Sequence, residues 1–370
     1  MHFRSPGVCS LKAALETSDI PEWVEQLVIA GGQAPSADNS QPWRFVWNGR
    51  SLSLHMDPVR AGAGLGLDHP ANLMAMGAVV ENLVQAAKTL GFPPDILKLG
   101  SGSKEEPFAT IAWDGPAPNS TIETDSGLVG RHTNRGAFRK NPLTPALIAR
   151  LAAMTEGGLR TVVVSEASQK KHLADWVREA SEVRFQTEEI HRWLGASLRF
   201  TPEEVARGDG LDVATLLLPP GAGGLLKLSL DWRRMEILNR FGAFKLFAFI
   251  EAAMLQESAA LLLVAGPMQG DNNELAAGRL FERLWITLNE ECVAVHPYFV
   301  LADQLYRLRA GLVSQKFRAP VTKLASGVAK FLGSEKDTVY MLLRVGIPKI
   351  NNPVRSRRLP ADDTFSVLNT

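Results

Sequence analysis

The chain has 370 residues, of which 45% are hydrophobic and 21% charged, with a net charge of +1. That length holds one large or two medium domains with sizeable cores, and the near-neutral balance argues against nucleic acid or an anionic membrane as a general partner. Cys9 and Cys292 alone cannot build a disulfide framework, and the seven scattered His residues lack ligand spacing, so no metal centre is expected.

Met1 to Asp19 lacks the continuous apolar stretch of a signal peptide, and no run of about 18 apolar residues is present, so no integral membrane segment and a cytoplasmic location are expected. The greasiest stretch, Phe241-Gly-Ala-Phe-Lys-Leu-Phe-Ala-Phe-Ile250, is short and broken by Lys245. It suits a membrane surface, a greasy substrate or a buried or lid helix, and the last is the preferred reading.

In chain order, Asp19-Ile-Pro-Glu22 opens a helix, with Pro21 suited to the first helical position and Glu22 to the helix dipole. Trp23, Leu27 and Ala30 recur at helical spacing, and Gly31-Gly32 reads as the stop. Ala34-Pro-Ser-Ala-Asp-Asn-Ser-Gln-Pro-Trp43 follows. Its prolines restrict φ and its Ser, Asp and Asn side chains bond local backbone, giving a structured turn into the strand Arg44 to Trp47. Asn48-Gly49 signals a hairpin into Ser51 to His55. Leu73, Met76, Val80, Leu83, Ala87 and Leu90 form one stripe of a helix from Pro70 to Leu90, ended by Gly91-Phe-Pro-Pro94. Phe108 to Trp113 is a short strand, and Pro116 to Gly127 a linker.

Past the linker the pattern restarts. Thr144-Pro145 opens a helix at an offset of 124 residues from Pro21, and Leu159 to Val164 is a strand in the place of Arg44 to Trp47. Gly278-Arg-Leu-Phe-Glu282-Arg-Leu284 echoes Gly77-Ala-Val-Val-Glu81-Asn-Leu83 in the same register. These echoes predict two copies of one α+β unit, residues 1–125 and 126–370, with a helical insertion over 166–257. Within the insertion, Trp176, Val183, Ile190 and Leu194 fit one helical face, Pro219-Pro220-Gly221 is a break, and Trp232 to Leu255 resumes the helix. Ala259 to Val264 and Thr338 to Leu343 read as buried strands.

The segment from Pro35 to Trp43 closely resembles the Pro-Ser-x-x-Asn-x-Gln-Pro-Trp loop of the FMN-dependent nitroreductase superfamily, with all six specified positions present. Arg131-His-Thr133-Asn-Arg135 resembles that family's basic Arg-x-Ser/Thr-x-Arg/Lys motif. The resemblance implies a nitroreductase-like α+β fold, with mixed sheets flanked by helices and a helical lid. It also implies that Pro35, Ser36 and Asn39 hold the flavin, with Gln41 and Trp43 supporting the loop. Arg131, Thr133 and Arg135 would take the phosphate and ring edge, Arg135 lying near N1 and O2. Arg344-Val-Gly-Ile-Pro348 and Val354-Arg-Ser-Arg-Arg-Leu-Pro360 resemble the family's closing basic segment, leaving Arg355, Arg357 and Arg358 as alternatives for the same phosphate. Where the family has a Pro-containing loop facing flavin N5, the chain has His296-Pro-Tyr-Phe299-Val300, with Phe299 or Val300 as the backbone donor. Cys292-Val293 stands where the family usually has Gly, and His296 itself reads as structural.

The two copies have complementary losses. The offset carries the basic motif back onto Gly7, Cys9 and Leu11, and the second copy shortens the flavin loop to Thr155–Arg160. The large, internally duplicated Acg-like branch is the nearest resemblance. It implies a monomer that imitates a dimer, binds one FMN, and passes electrons from NADH or NADPH to a nitroaromatic, quinone or conjugated carbonyl. Two alternatives keep the flavin: a quiet FMN-storage protein covered by its lid, and a biosynthetic flavin dehydrogenase.

Overall fold

A computed structural model describes residues 8–9, 20–64, 66–103, 106–116, 118, 120–123, 126–139, 141–218, 221–270, 272–350 and 353–368. Gly7, Leu11, Pro219 and Pro220 lie outside the described residues. Its strands in chain order are β1 (Val8–Cys9), β2 (Trp43–Trp47), β3 (Ser51–Met56), β4 (Leu97–Leu99), β5 (Ala109–Ala112), β6 (Thr155–Glu156), β7 (Leu159–Val164), β8 (Leu198–Arg199), β9 (Leu211–Asp212), β10 (Ala260–Pro267), β11 (Ala294–Tyr298), β12 (Asp337–Gly346) and β13 (Phe365–Leu368). The chain divides into two compact units: Met1–Arg131 with Thr201–Gly210 and Ser356–Thr370, and His132–Phe200 with Leu211–Arg355.

The first unit holds a mixed sheet of order β1-β13-β2-β3-β5-β4, in which only β13 and β2 run parallel. The helix Glu22–Gly32 packs on the long helix Pro70–Leu90. The helix ends at Gly32, as the Gly31-Gly32 pair predicts, with Gln33 as the C-cap. A Cβ at Gly31 would come within 2.7 Å of the Phe45 ring, so the glycine is there to let helix and sheet approach. Trp23 stands edge-on to Trp47 and Phe92 at 5.6 and 5.5 Å, closing one end of this core.

The five-stranded sheet of the second unit is antiparallel throughout, in the order β11-β12-β10-β7-β6, and β8 pairs with β9 in a separate parallel ladder. β10 and β12 are buried almost end to end. Its core joins Leu173, Trp176 and Val177 to Leu261, Leu263, Leu301 and Leu324. Four strands of each sheet share one order and one set of directions: β2-β3-β5-β4 in the first, β7-β10-β12-β11 in the second. In both units a long helix follows the second of these strands and leads to the edge strand. Glu81 and Glu282, which share a register in those helices, are both 0% exposed.

Three features of the helical insertion differ from the sequence reading. Ala167–Arg184 and Glu188–Ser197 are separate helices, so Ile190 and Leu194 belong to the second; Thr187 takes an extended backbone between them. Trp232–Arg240 and Ala243–Gln256 are also separate, parted at Gly242, whose φ is +88°. The stretch expected as a buried or lid helix turns much of its apolar surface outward, with Phe241 86% exposed.

Candidate functional site

The Pro35–Trp43 segment connects the helix Glu22–Gly32 to β2 through a strained path. Asp38, Asn39 and Gln41 have φ of +45°, +61° and +51°, a region that side chains other than Asn and Asp rarely adopt. Such a path persists only where neighbouring bonds over-determine it. Ser36 Oγ accepts from the Gln41 backbone N–H at 2.9 Å. Asn39, 6% exposed, donates through Nδ2 to the carbonyls of Gly208, Gly210 and Arg357 at 3.2, 2.9 and 2.8 Å. Gln41 donates to Gly208 O at 2.9 Å and accepts from Leu359 N–H at 3.0 Å. Arg60 fixes the exit, donating to the carbonyls of Gln41 and Trp43 at 2.8 and 2.6 Å.

The same loop gathers two guanidinium groups. Arg358 donates to Asn39 Oδ1 and, at 3.0 Å, to the carbonyl of Gln33. Arg131, 5% exposed, donates to that same carbonyl. Both guanidiniums thus meet at one neutral carbonyl. Of the three C-terminal arginines, Arg358 reaches the loop by its side chain. Arg357 does so by its carbonyl while its side chain is exposed, and Arg355 is exposed and belongs to the second unit. A cavity of about 90 Å³ lies against Gln33, Gln41 and Arg358; flavin-sized ligands need several times that volume, so this cavity alone is no flavin pocket.

Thr133, Arg135, Phe299 and Val300 lie in the second unit. Thr133 bridges Val295, and Asn134 N–H donates to Val295 O at 2.9 Å, so the basic motif runs beside β11. His296 sits directly opposite Arg344 across β11 and β12. Arg344 is fully buried, donates to Gly136 O at 3.0 Å and stacks 3.8 Å over the Phe138 ring. Its Nε and Nη1 have no hydrogen-bond partner among the described residues, nor has the buried Nδ1 of His296. Burial, then the charges of Arg135 and Arg344, hold His296 well below its ordinary pKa, so the imidazole is neutral. Burial likewise lowers Arg344.

The expected loop at His296–Val300 is instead an edge strand followed by a helix: β11 runs to Tyr298, Phe299 is the N-cap, and Val300–Arg309 is helical. Pro297 is tolerated because an edge strand needs no ladder bond from it. Backbone N–H groups at Phe299 and Val300 thus open a helix, a position that favours negative charge. Sequence reasoning missed Gln33, Arg60, Gly208 and Arg344. Gly208-Asp-Gly210 was the available signal: both glycines have positive φ, and a Cβ at Gly208 would collide with the Arg358 carbonyl.

These features define an α+β protein with a strained polar loop and two groups of basic side chains. No family model matches the chain. It is 24% identical over 294 residues to the uncharacterized protein MT1398 of Mycobacterium tuberculosis, a match covering 77% of this chain and 39% of that protein's length. Among solved structures it is similar to the FMN and NADPH-dependent nitroreductase NfnB of Sphingopyxis sp. strain HMH, at 17% identity, 65% of this chain, 97% of that one and a TM-score of 0.36. It is also similar to the FMN-dependent nitroreductase NfnB of Mycobacterium smegmatis, solved in complex with NADPH, at 17% identity, 64% and 93% coverage and a TM-score of 0.35. A third is iodotyrosine deiodinase bound to FMN and 3-iodo-L-tyrosine, at 17% identity, 62% and 90% coverage and a TM-score of 0.32.

Proposed function

We propose that this chain is an FMN-dependent oxidoreductase of the nitroreductase superfamily, an internally duplicated cytoplasmic protein that binds one flavin per chain. The observation that carries the proposal is the meeting of Arg131 and Arg358 at the Gln33 carbonyl, with Asn39 bonded to Arg358: three positions, not adjacent in sequence, that the family resemblance singles out separately. The shared strand order of the two sheets supports the duplication.

The donor set fits the cofactor's chemistry. Two guanidiniums suit a phosphate dianion. Pro35 and Ser36 would face the flavin, while Asn39 and Gln41, whose side chains are committed to backbone carbonyls, shape the loop. Arg131 and Arg358 would take the phosphate. In the second unit Arg135 and Arg344 carry the kind of positive charge that, near a flavin ring edge, favours the anionic reduced state and raises the potential. FMN, when bound, supplies the hydride and electron chemistry between NADH or NADPH and a small-molecule acceptor, such as a nitroaromatic, quinone or conjugated carbonyl. Neutral His296 would stay uncharged beside those cations and leave them the local field.

Purified protein is expected to be yellow, with about one FMN per chain, and to bleach when mixed anaerobically with NADH or NADPH. Protein that binds no flavin refutes the proposal. A second reading, FMN sequestration, is favoured by the packing of Gly208–Gly210 and Arg357–Leu359 onto the loop. Yellow protein that bleaches only with dithionite selects that reading.

A further inference from the structure

The helices Ala222–Ser229, Trp232–Arg240 and Ala243–Gln256 follow one another in the second unit, and each packs on the next. Each also keeps large apolar groups in the open. Met235 and Ala252 are buried, whereas Leu225 and Leu228 on the first helix, Ile237 on the second, and Phe249 and Ile250 on the third are more than half exposed. Phe241, at the corner between the second and third, is 86% exposed. At roughly 200 Å² for a fully exposed large side chain, they together expose several hundred Å² of apolar surface on three helices that are consecutive in the chain and packed one on the next.

Cations are interleaved with this surface. Lys227, Arg233, Arg234, Arg240 and Lys245 are all exposed. Arg240 lies 3.7 Å from Glu236, while Arg233 and Arg234 enter no ion pair among the described residues. Residues 222–256 hold five Lys and Arg against three Asp and Glu, and Glu251 is turned inward to Ser181 and Arg184. The rest of the chain holds 35 basic against 36 acidic residues, so the excess positive charge is concentrated here.

We propose that the outward faces of these three helices seat the protein on an anionic lipid surface. In a symmetric contact with a second copy the same five cations would face themselves, a repulsive arrangement. A purely apolar partner would strip water from the cations without replacing it. An anionic bilayer takes both parts: Phe241, Phe249 and the aliphatic groups enter the headgroup boundary, and the Lys and Arg side chains meet lipid phosphates. No helix among the described residues is long and apolar enough to cross a membrane, and the seat proposed is along the surface.

Flotation of the full chain with vesicles tests this. Binding is expected to vesicles of phosphatidylcholine mixed with phosphatidylglycerol, to be much weaker with phosphatidylcholine alone, and to fall as salt rises from about 0.1 M to about 0.5 M. Phe241→Asp with Phe249→Asp is expected to weaken binding about tenfold or more. Arg233→Gln with Arg240→Gln is expected to remove the preference for phosphatidylglycerol; both pairs alter exposed positions and should leave the thermal melt in place. Failure of the native chain to bind either vesicle overturns the proposal. So does unchanged binding by both variants, or light scattering that shows a dimer which Phe241→Asp dissociates.

Discussion

Replacing Asn39 by Ala removes more than one side chain's worth of contact. Its Nδ2 carries two hydrogens and serves three carbonyls, and its Oδ1 receives a charged donor from Arg358. Gly208 O keeps Gln41 as a donor, and Arg358 keeps the Gln33 carbonyl. The uncompensated losses are therefore the donors to Gly210 O and Arg357 O, at about 1 kcal/mol each, and part of one charge-assisted bond worth about 1.5–3 kcal/mol. Ala at φ +61° adds about 1 kcal/mol of backbone cost that Asn largely avoids. The expected destabilisation is about 3–5 kcal/mol, read by chemical denaturation, with earlier proteolysis within residues 356–368. Asn39→Gly removes the same bonds and relieves the backbone, so it should fall about 1 kcal/mol short of Ala. An Asn39→Ala variant within about 1 kcal/mol of the native protein would refute the clamp.

The remaining predictions concern charge, pH and backbone. Arg131→Ala is expected to weaken FMN binding about tenfold to a hundredfold, measured by flavin fluorescence; unchanged affinity would remove Arg131 from the phosphate site. Arg344→Met takes away a buried cation whose Nε and Nη1 have no partner among the described residues, so stability in chemical denaturation should hold or rise; a loss of more than about 1 kcal/mol would mean that Arg344 is structural. Folded His296, chiefly through burial, titrates below the unfolded value of about 6.5. The unfolded chain therefore takes up a proton that the folded chain refuses. Stability is fully present above about pH 6.5 and is lost as pH falls, by at most about 1.4 kcal/mol per pH unit for this group. Denaturation at several pH values should show a shallower decline in His296→Gln, and an unchanged slope refutes the assignment. His55 and His191, also lowered mainly by burial, act in the same direction. Asp38→Val, a branched side chain at φ +45°, should cost about 1–3 kcal/mol where Asp38→Gly costs little; equal effects would deny the backbone strain.

The helix Pro70–Leu90 matches its sequence reading residue for residue, because an apolar stripe is bounded by Pro at its start and by Gly91 in the left-handed conformation at its end. The strand Leu159–Val164 was equally legible. Periodicity misled where it ran across a bend: Trp176, Val183 and Ile190 keep helical spacing through Thr187, although the backbone there is extended. Pro297 concealed a strand, since nothing in the local sequence marks that strand as an edge. At the site, the loop and the basic motif were visible as motifs. Their anchors, Gly208, Gly210 and the Gln33 carbonyl, act through backbone atoms and leave little trace in side-chain identity. Arg344 reads in sequence as part of a basic tail, but its strand carries it into the sheet interior, opposite His296.

The two joins between helix and strand show why the first loop is a candidate for function rather than a mere connector. At the equivalent point in the second unit, the chain passes from Pro145–Ala152 to β7 through a small hairpin whose turn is Gly157-Gly158, with φ of +54° and +81°. Glycine adopts such angles at no steric cost. The first unit makes the same passage with a longer segment and places Asp38, Asn39 and Gln41 at positive φ instead. If connection were the only task, the glycine turn would serve with fewer ordered residues and without strain. What the strained loop gains is Asn39 and Gln41 on its inner side, bonding Gly208–Gly210 and Arg357–Leu359, and so bringing Arg358 to the carbonyl that Arg131 also meets. Positive φ at three side-chain-bearing residues is thus tied to the gathering of two cations at one carbonyl.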